Sequence, residues 1–187
     1  SANVDKGLHV FCHAIRDTWY QMGVMLSAAS CVSWWDKNIN NKSNMSIDLI
    51  ASNYNYSFLP IFLPYLSGER TPYNDPFARG SFIGISHKTT ASEMAQSVLE
   101  GVAFAIADCE DTITETNTKI SNVSVIGGGA NSLYWGKIIA SVLNRKLIYH
   151  KNSNIGAVFG AALLAMYEDD NTLTLQETFE MPKIDTI

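Results

Sequence analysis

Residues 123–130, with the sequence VSVIGGGA, are the stretch that decides the fold. The apolar run predicts a β-strand, and the glycines at its end let the backbone approach a ligand because no Cβ stands in the way. The next segment, SLYWGKIIASVLN, has helical spacing, and the first amides of a helix can donate hydrogen bonds to phosphate. Two interpretations of the glycines stay open: a nucleotide site, or a tight turn that packs a helix onto a sheet.

On the C-terminal side the pattern repeats as a strand, KLIYH, and a helix, GAVFGAALLAMY. This order predicts a βαβ crossover with parallel strands, and ligands of such units lie beyond the carboxyl ends of the strands. Gly156 and Gly160 are one turn apart in an alanine-rich helix, which indicates close helix packing. The acidic tail after Tyr167 is interpreted as a surface arm or a partner-covered extension.

On the N-terminal side, the pattern predicts a strand over residues 8–13 and a helix over 21–35. Residues 58–66 contain two prolines, which indicates an edge strand or an extended connector, and residues 81–85 predict a brief strand. Ser46 is placed to cap a short helix.

A capping box, Thr90-x-x-Glu93, opens a long helix. Its apolar positions recur on one face, which predicts core packing. They are Met94, Val98, Val102, Ala105, Ile106, Cys109 and Ile113.

Composition and charge limit the functions open to the chain. With 187 residues, 47% of them hydrophobic and 17% charged, it is expected to fold as a single domain. The net charge of -5 and the scattered basic residues argue against nucleic acid as a partner, and no apolar run is long enough to predict a membrane span. Three widely spaced cysteines indicate neither a disulfide framework nor a zinc ribbon, so a cytoplasmic location is expected.

Familiar nucleotide motifs do not fit the glycine stretch. A dinucleotide-binding fold would have a third glycine at Ser132 and an acidic residue near Tyr149. A P-loop would have Ser or Thr at Ile138 and a glycine at Asn131.

Other candidate sites are weaker. His9, Cys12 and His13 do not make a four-ligand metal site, so no metal ligand is predicted. Glu69 and Arg70 are interpreted as a buried ion pair that organises their loop, with substrate contact as the alternative.

At residues 62–87, FLPYLSGERTPYNDPFARGSFIGISH, the chain resembles the FGGY family of carbohydrate kinases. The C-terminal signature of that family is matched by GSFIGI at 80–85 and by the polar, apolar and acidic positions of 93–100. The segments LHVFCHA, WYQMGVMLSAAS, IGGGANSLYW and GAVFGAALLA are similar to family segments in the same order, so the resemblance covers residues 8 to about 168.

The resemblance implies an α/β fold of the actin-like or hexokinase-like (ribonuclease H-like) ATPase class, a mixed sheet flanked by helices and incomplete at its N-terminal end. Residues 1–187 would form the C-terminal nucleotide-binding lobe of a two-lobe sugar kinase, with 169–187 as an extension. The partner would be the N-terminal lobe of the same kinase, and a homodimer stays open.

The resemblance also implies a set of nucleotide contacts. Gly128 and Gly129, with Ala130 beside them, would approach the phosphates and ribose of the nucleotide. Ala29, Ser33 and Leu133 match positions near the adenine. The aspartate that acts as general base is expected upstream of Ser1, so no catalytic residue is assigned in this chain.

The implied reaction transfers the γ-phosphoryl group of ATP, with Mg²⁺, to the 5-hydroxyl of D-xylulose. Gluconate, ribulose and glycerol remain alternative acceptors. A non-catalytic actin-like nucleotide-binding or interaction module and a dinucleotide-binding domain are the alternatives from other classes. Because a single lobe cannot close over its substrates, the chain alone is expected to bind nucleotide weakly and to be inactive.

Overall fold

The computed structural model describes residues 4–40, 46–53, 59–150, 157–169 and 183–186. The strands are β1 (His9–Cys12), β2 (Trp19–Met22), β3 (Ile61–Leu63), β4 (Ser81–Ile83), β5 (Val123–Val125), β6 (Leu147–His150) and β7 (Lys183–Thr186). The α-helices are α1 (Ala29–Asn38), α2 (Ile47–Ala51), α3 (Ala91–Thr114), α4 (Leu133–Leu143) and α5 (Ala157–Asp169).

The described strands form three small sheets. Strands β1 and β2 pair antiparallel, as do β3 and β4. Strands β5 and β6 pair parallel across α4, and β7 adds to β6 in the antiparallel direction. The predicted βαβ unit and the mixed sheet are therefore confirmed.

Helix α3 is the centre of the fold. Its capping box forms as predicted: the Glu93 amide donates to Thr90 Oγ1 at 3.3 Å, and the Thr90 amide donates to Glu93 Oε2 at 2.7 Å. The helix packs against α1, α2, α4 and β3. The main core cluster consists of Cys31, Trp35, Ile47, Ala51, Phe62, Ala95, Val98, Leu99, Val102 and Trp135.

The helix predicted over residues 21–35 is wrong in its first part. Gln21 lies in β2, opposite Val10 of β1, and the helix begins only at Ala29. Between the two, Val24 exchanges hydrogen bonds with Thr71: the Val24 amide donates to Thr71 Oγ1, and the Thr71 amide donates to the Val24 carbonyl. A partner 47 residues away thus binds the backbone of Val24 where the helix was predicted, and such tertiary pairing overrides local helical spacing.

Three smaller predictions also change. Ser46 occupies the N-cap of α2, but its side chain makes no capping hydrogen bond. Helix α5 has no buried residue, and nothing in the described part of the chain lies within 4 Å of a Cβ built at Gly160, so no described residue packs closely on that glycine. Gly156 lies outside the described residues. The tail is more than a surface arm, since 183–186 form strand β7.

The cysteines are free thiols in two different environments. Cys12 is exposed, whereas Cys31 and Cys109 are buried. Burial, and then the charge of Glu69, raises the pKa of the Cys31 thiol from its ordinary 9.0 to about 12. Burial raises the pKa of Cys109 to about 12 as well, with smaller contributions from Glu69 and Asp108.

These pKa shifts predict selective alkylation. At pH 8.5 we expect iodoacetamide to modify Cys12 alone in the folded chain, because the thiolate is the reactive form and Cys31 and Cys109 stay protonated and covered. Mass spectrometry counts the modified thiols with and without urea. Three modified cysteines without urea would contradict selective alkylation.

The same pKa shifts make stability depend on pH. Unfolded thiols ionise from about pH 9, below the folded value, so the unfolded state loses protons first. The free energy of unfolding should therefore fall as pH rises from about 9 to 12.

No helix in the described ranges is long and apolar enough to cross a membrane.

Candidate nucleotide site

The glycine turn (Gly127, Gly128 and Gly129) follows β5 after one residue, Ile126. Gly127 has φ 82°, a left-handed conformation that favours glycine, and a short 3-10 helix then runs over Gly128–Asn131. A Cβ at Gly129 would lie 3.3 Å from the ring of Trp135, whereas nothing described lies within 4 Å of one at Gly128. Packing therefore does not require glycine at position 128, and the side of the turn at Gly128 is open.

That open face borders a cavity of about 410 Å³, which falls in the size range of small-molecule sites. Helix α1 forms the facing wall, with four residues spaced along one side of the helix. The cavity is lined by Ala29, Val32, Ser33, Asp36, Ser46, Ile47, Asp48, Leu99, Gly128, Gly129, Asn131, Ser132 and Trp135.

Two contacts tie the walls of the cavity together. Ser132 Oγ donates to Asp48 Oδ2 at 2.6 Å and accepts from the Trp135 amide at 3.0 Å, so one hydroxyl caps α4 and joins it to α2. Trp135, which is 6% exposed, donates from Nε1 to the Leu99 carbonyl at 3.0 Å. The glycine turn is thereby fixed to α2 and α3.

Of the six sequence-predicted nucleotide contacts, four line the cavity and two do not. Ala29, Ser33, Gly128 and Gly129 all line the cavity. Ala130 is buried beneath the turn, where it packs with Leu147 and Tyr149. Leu133 is 52% exposed and lies outside the cavity lining.

Sequence reasoning missed several lining residues. Asp36 and Val32 share one face of α1 with Ala29, so helical spacing alone could have found them. Asp48 carried no local signal, because its partner Ser132 lies 84 residues further along the chain.

The Glu69–Arg70 ion pair does not form. Glu69 is buried, and its Oε1 accepts hydrogen bonds from the amides of Leu26 at 3.0 Å and Arg70 at 2.7 Å. The guanidinium of Arg70 lies instead 3.2 Å from His9 Nε2. Glu69 does organise the loop, but through backbone amides.

The profile of the FGGY family of carbohydrate kinases, C-terminal domain, matches residues 4–168 of the chain. The chain belongs to this family. Its neighbours among solved structures are FGGY kinases of the actin-like, ribonuclease H-like fold, so the predicted fold class is confirmed.

Three relatives show how similar the chain is to individual members of the family. The xylulose kinase of Escherichia coli is 42% identical over 162 residues, which are 86% of this FGGY chain and 34% of that kinase. The xylulose kinase of Klebsiella pneumoniae is 41% identical over 162 residues, 86% of this chain and 33% of that kinase. The crystal structure of the xyloylose kinase of Brucella ovis has a TM-score of 0.87 and 41% identity, over 98% of this chain and 38% of its own. This FGGY chain thus spans about a third of the curated relatives it matches.

Proposed function

We propose that this chain is the nucleotide-binding lobe of an ATP-dependent sugar kinase that converts D-xylulose to D-xylulose 5-phosphate. The observation that carries the proposal is the cavity at the glycine turn, which combines an open backbone face at Gly128 with an apolar wall from α1, α3 and α4. The choice of sugar rests on the relatives named xylulose kinase. Gluconate, ribulose and glycerol remain the alternative acceptors.

In this proposal the chain positions ATP. The adenine lies against the apolar wall, near Ala29 and Ser33, and the sugar-phosphate part passes over Gly128 and Gly129, where no side chain obstructs it. Phosphoryl transfer depends mainly on such positioning and on charge stabilisation. An N-terminal lobe, as the partner, contributes the sugar contacts and closes the site against water.

Mg²⁺ is proposed to accompany the phosphates of ATP. In the described part of the chain, no group of three or more His, Cys, Asp or Glu side chains could hold a metal ion. The phosphates of ATP would therefore carry the ion in this proposal.

Nucleotide titration of the 187-residue chain tests the proposed binding. We expect ADP and ATP to shift the amide NMR signals of α1 and the glycine turn in a saturable way, and NAD to leave them unchanged. Binding is expected to be weak, because one lobe contacts only one side of the nucleotide. Saturable shifts with NAD but not with ADP would contradict the proposal and favour a dinucleotide-binding domain.

A chimera tests the kinase assignment. We expect the E. coli xylulose kinase to keep D-xylulose-dependent ADP release when its matching 162 residues are replaced by those of this chain. The chain alone should release no ADP with D-xylulose. A folded chimera that binds ADP without phosphorylating D-xylulose would point to the non-catalytic alternative.

A further inference from the structure

The cavity has an acidic side as well as an apolar one. Among its described lining residues, the ionisable side chains are Asp36 on α1 and Asp48 on α2. Carboxylates repel phosphate groups and accept hydrogen bonds from hydroxyl groups. This side of the cavity therefore suits an uncharged, hydroxyl-bearing part of a ligand.

Asp48 is the better placed of the two carboxylates. Its Oδ2 accepts from Ser132 Oγ at 2.6 Å, which fixes the orientation of the carboxylate and leaves Oδ1 with capacity to accept. Ser132 follows Gly129 by three residues, and the Ser132 amide donates to the Gly129 carbonyl at 3.2 Å. The carboxylate thus stands one short turn away from the glycines.

Asp36 is held less firmly. It is exposed near the end of α1, and its Oδ1 accepts from Asn40 Nδ2 at 3.4 Å, close to the limit for a hydrogen bond. A side chain that keeps its rotamer freedom loses conformational entropy when it binds a ligand. Asp48 is already ordered by Ser132, so its loss of entropy on binding is smaller.

We propose that Asp48 accepts hydrogen bonds from the 2′- and 3′-hydroxyl groups of the nucleotide ribose and so restricts the cavity to ribonucleotides. The inference rests on the proposed nucleotide function and adds to it the residue that recognises the ribose of the nucleotide. The same carboxylate repels a 2′-phosphate, so 2′-phosphorylated adenine nucleotides are excluded.

The test compares ADP with 2′,3′-dideoxy-ADP, which lacks both hydroxyl groups, in NMR titrations of the 187-residue chain. We expect the unmodified chain to bind ADP about tenfold to a hundredfold more tightly, the range for hydrogen bonds to a charged acceptor. In Asp48→Ala the two dissociation constants should agree within about threefold. Asp36→Ala should keep the full preference for ADP.

The ratio of the dissociation constants of dideoxy-ADP and ADP also separates loss of ribose recognition from general damage to the cavity wall. Ser132→Ala removes the contact that orients Asp48, so we expect an intermediate ratio. If Asp48→Ala no longer binds either nucleotide, Asp48→Asn takes its place, because it can still accept from Ser132 while losing the charge; its ratio should fall to a few-fold. Asp111→Asn, on the exposed face of α3, is the control for loss of one negative charge and should behave as the unmodified chain.

Each outcome bears on one hypothesis or on both. Equal affinities for ADP and dideoxy-ADP in the unmodified chain would overturn the role of Asp48 and leave nucleotide binding intact. A full preference retained in Asp48→Ala or Asp48→Asn, or its loss in Asp36→Ala, would do the same. No saturable binding of ADP to the unmodified chain would overturn both this inference and the proposed function.

Discussion

Replacing Gly128 by valine is expected to remove saturable ADP binding and leave the chain folded. A Cβ at this position meets nothing described within 4 Å, so the added side chain enters the cavity rather than the core. A nucleotide lying on the turn would overlap the valine, and we expect its affinity to fall at least about tenfold, or 1.4 kcal/mol. The melting temperature should change by no more than about 2 °C, as for other substitutions that disturb no packing.

The structure decides which glycine to change. A valine at Gly129 would press on the ring of Trp135, 3.3 Å from the Cβ position, so lost binding there could come from a displaced tryptophan. Gly160→Val is the matched control, because its Cβ also enters open space but on α5, outside the cavity lining. Unchanged ADP affinity in Gly128→Val would show that nucleotide does not lie on the turn.

Replacing Gly101 by alanine is expected to destabilise the chain strongly. In an open helical position this substitution gains about 1 kcal/mol. At Gly101, in the middle of α3, the added Cβ would overlap the Phe62 carbonyl oxygen of β3. Gly101 and Phe62 are both buried, so the clash falls between two backbone segments of the core. We expect a net loss of about 1–3 kcal/mol in the free energy of unfolding, the usual cost of overpacking.

Gly160→Ala makes the same chemical change in a helix where nothing described lies within 4 Å of the new Cβ. It should leave the stability unchanged or raise it by up to about 1 kcal/mol. Urea denaturation of the two variants, followed by circular dichroism, measures the difference directly. Equal stability of Gly101→Ala and Gly160→Ala would mean that α3 can move away from β3 at little cost.

Local chemistry accounts for the elements that were predicted correctly. The capping box at Thr90 and Glu93 satisfies two amides within four residues, so the start of α3 is encoded where it occurs. The same holds for the strand and glycine turn at Val123–Val125 and Gly127, where apolar residues and a positive φ depend on near neighbours. The parallel pairing of β5 and β6 follows from the helical crossover between them, because α4 returns the chain to the same end of the sheet.

The incorrect predictions involve partners that are distant in the chain. Gln21 and Met22 have helical spacing, yet they pair with β1, and Thr71 binds the backbone of Val24 just after them. Glu69 and Arg70 look like an ion pair in sequence, but the fold presents the amide of Leu26, 43 residues away, to the carboxylate and His9, 61 residues away, to the guanidinium. Neither outcome can be read from residues within a few positions.

The candidate site shows the same division. By itself, the sequence determined the glycine turn, because residue type and spacing define it within a few positions, and the motifs that carry the resemblance to the FGGY family. The two segments that carry Ala29 and Gly128 were implied by that resemblance. Only the tertiary structure decided that Asp48 joins Ser132 across 84 residues, that Ala130 is buried beneath the turn, and that Gly128 alone of the neighbouring pair faces open space. These depend on how α2, α3 and α4 pack, and packing is set by side-chain shape over the whole core rather than by any local pattern.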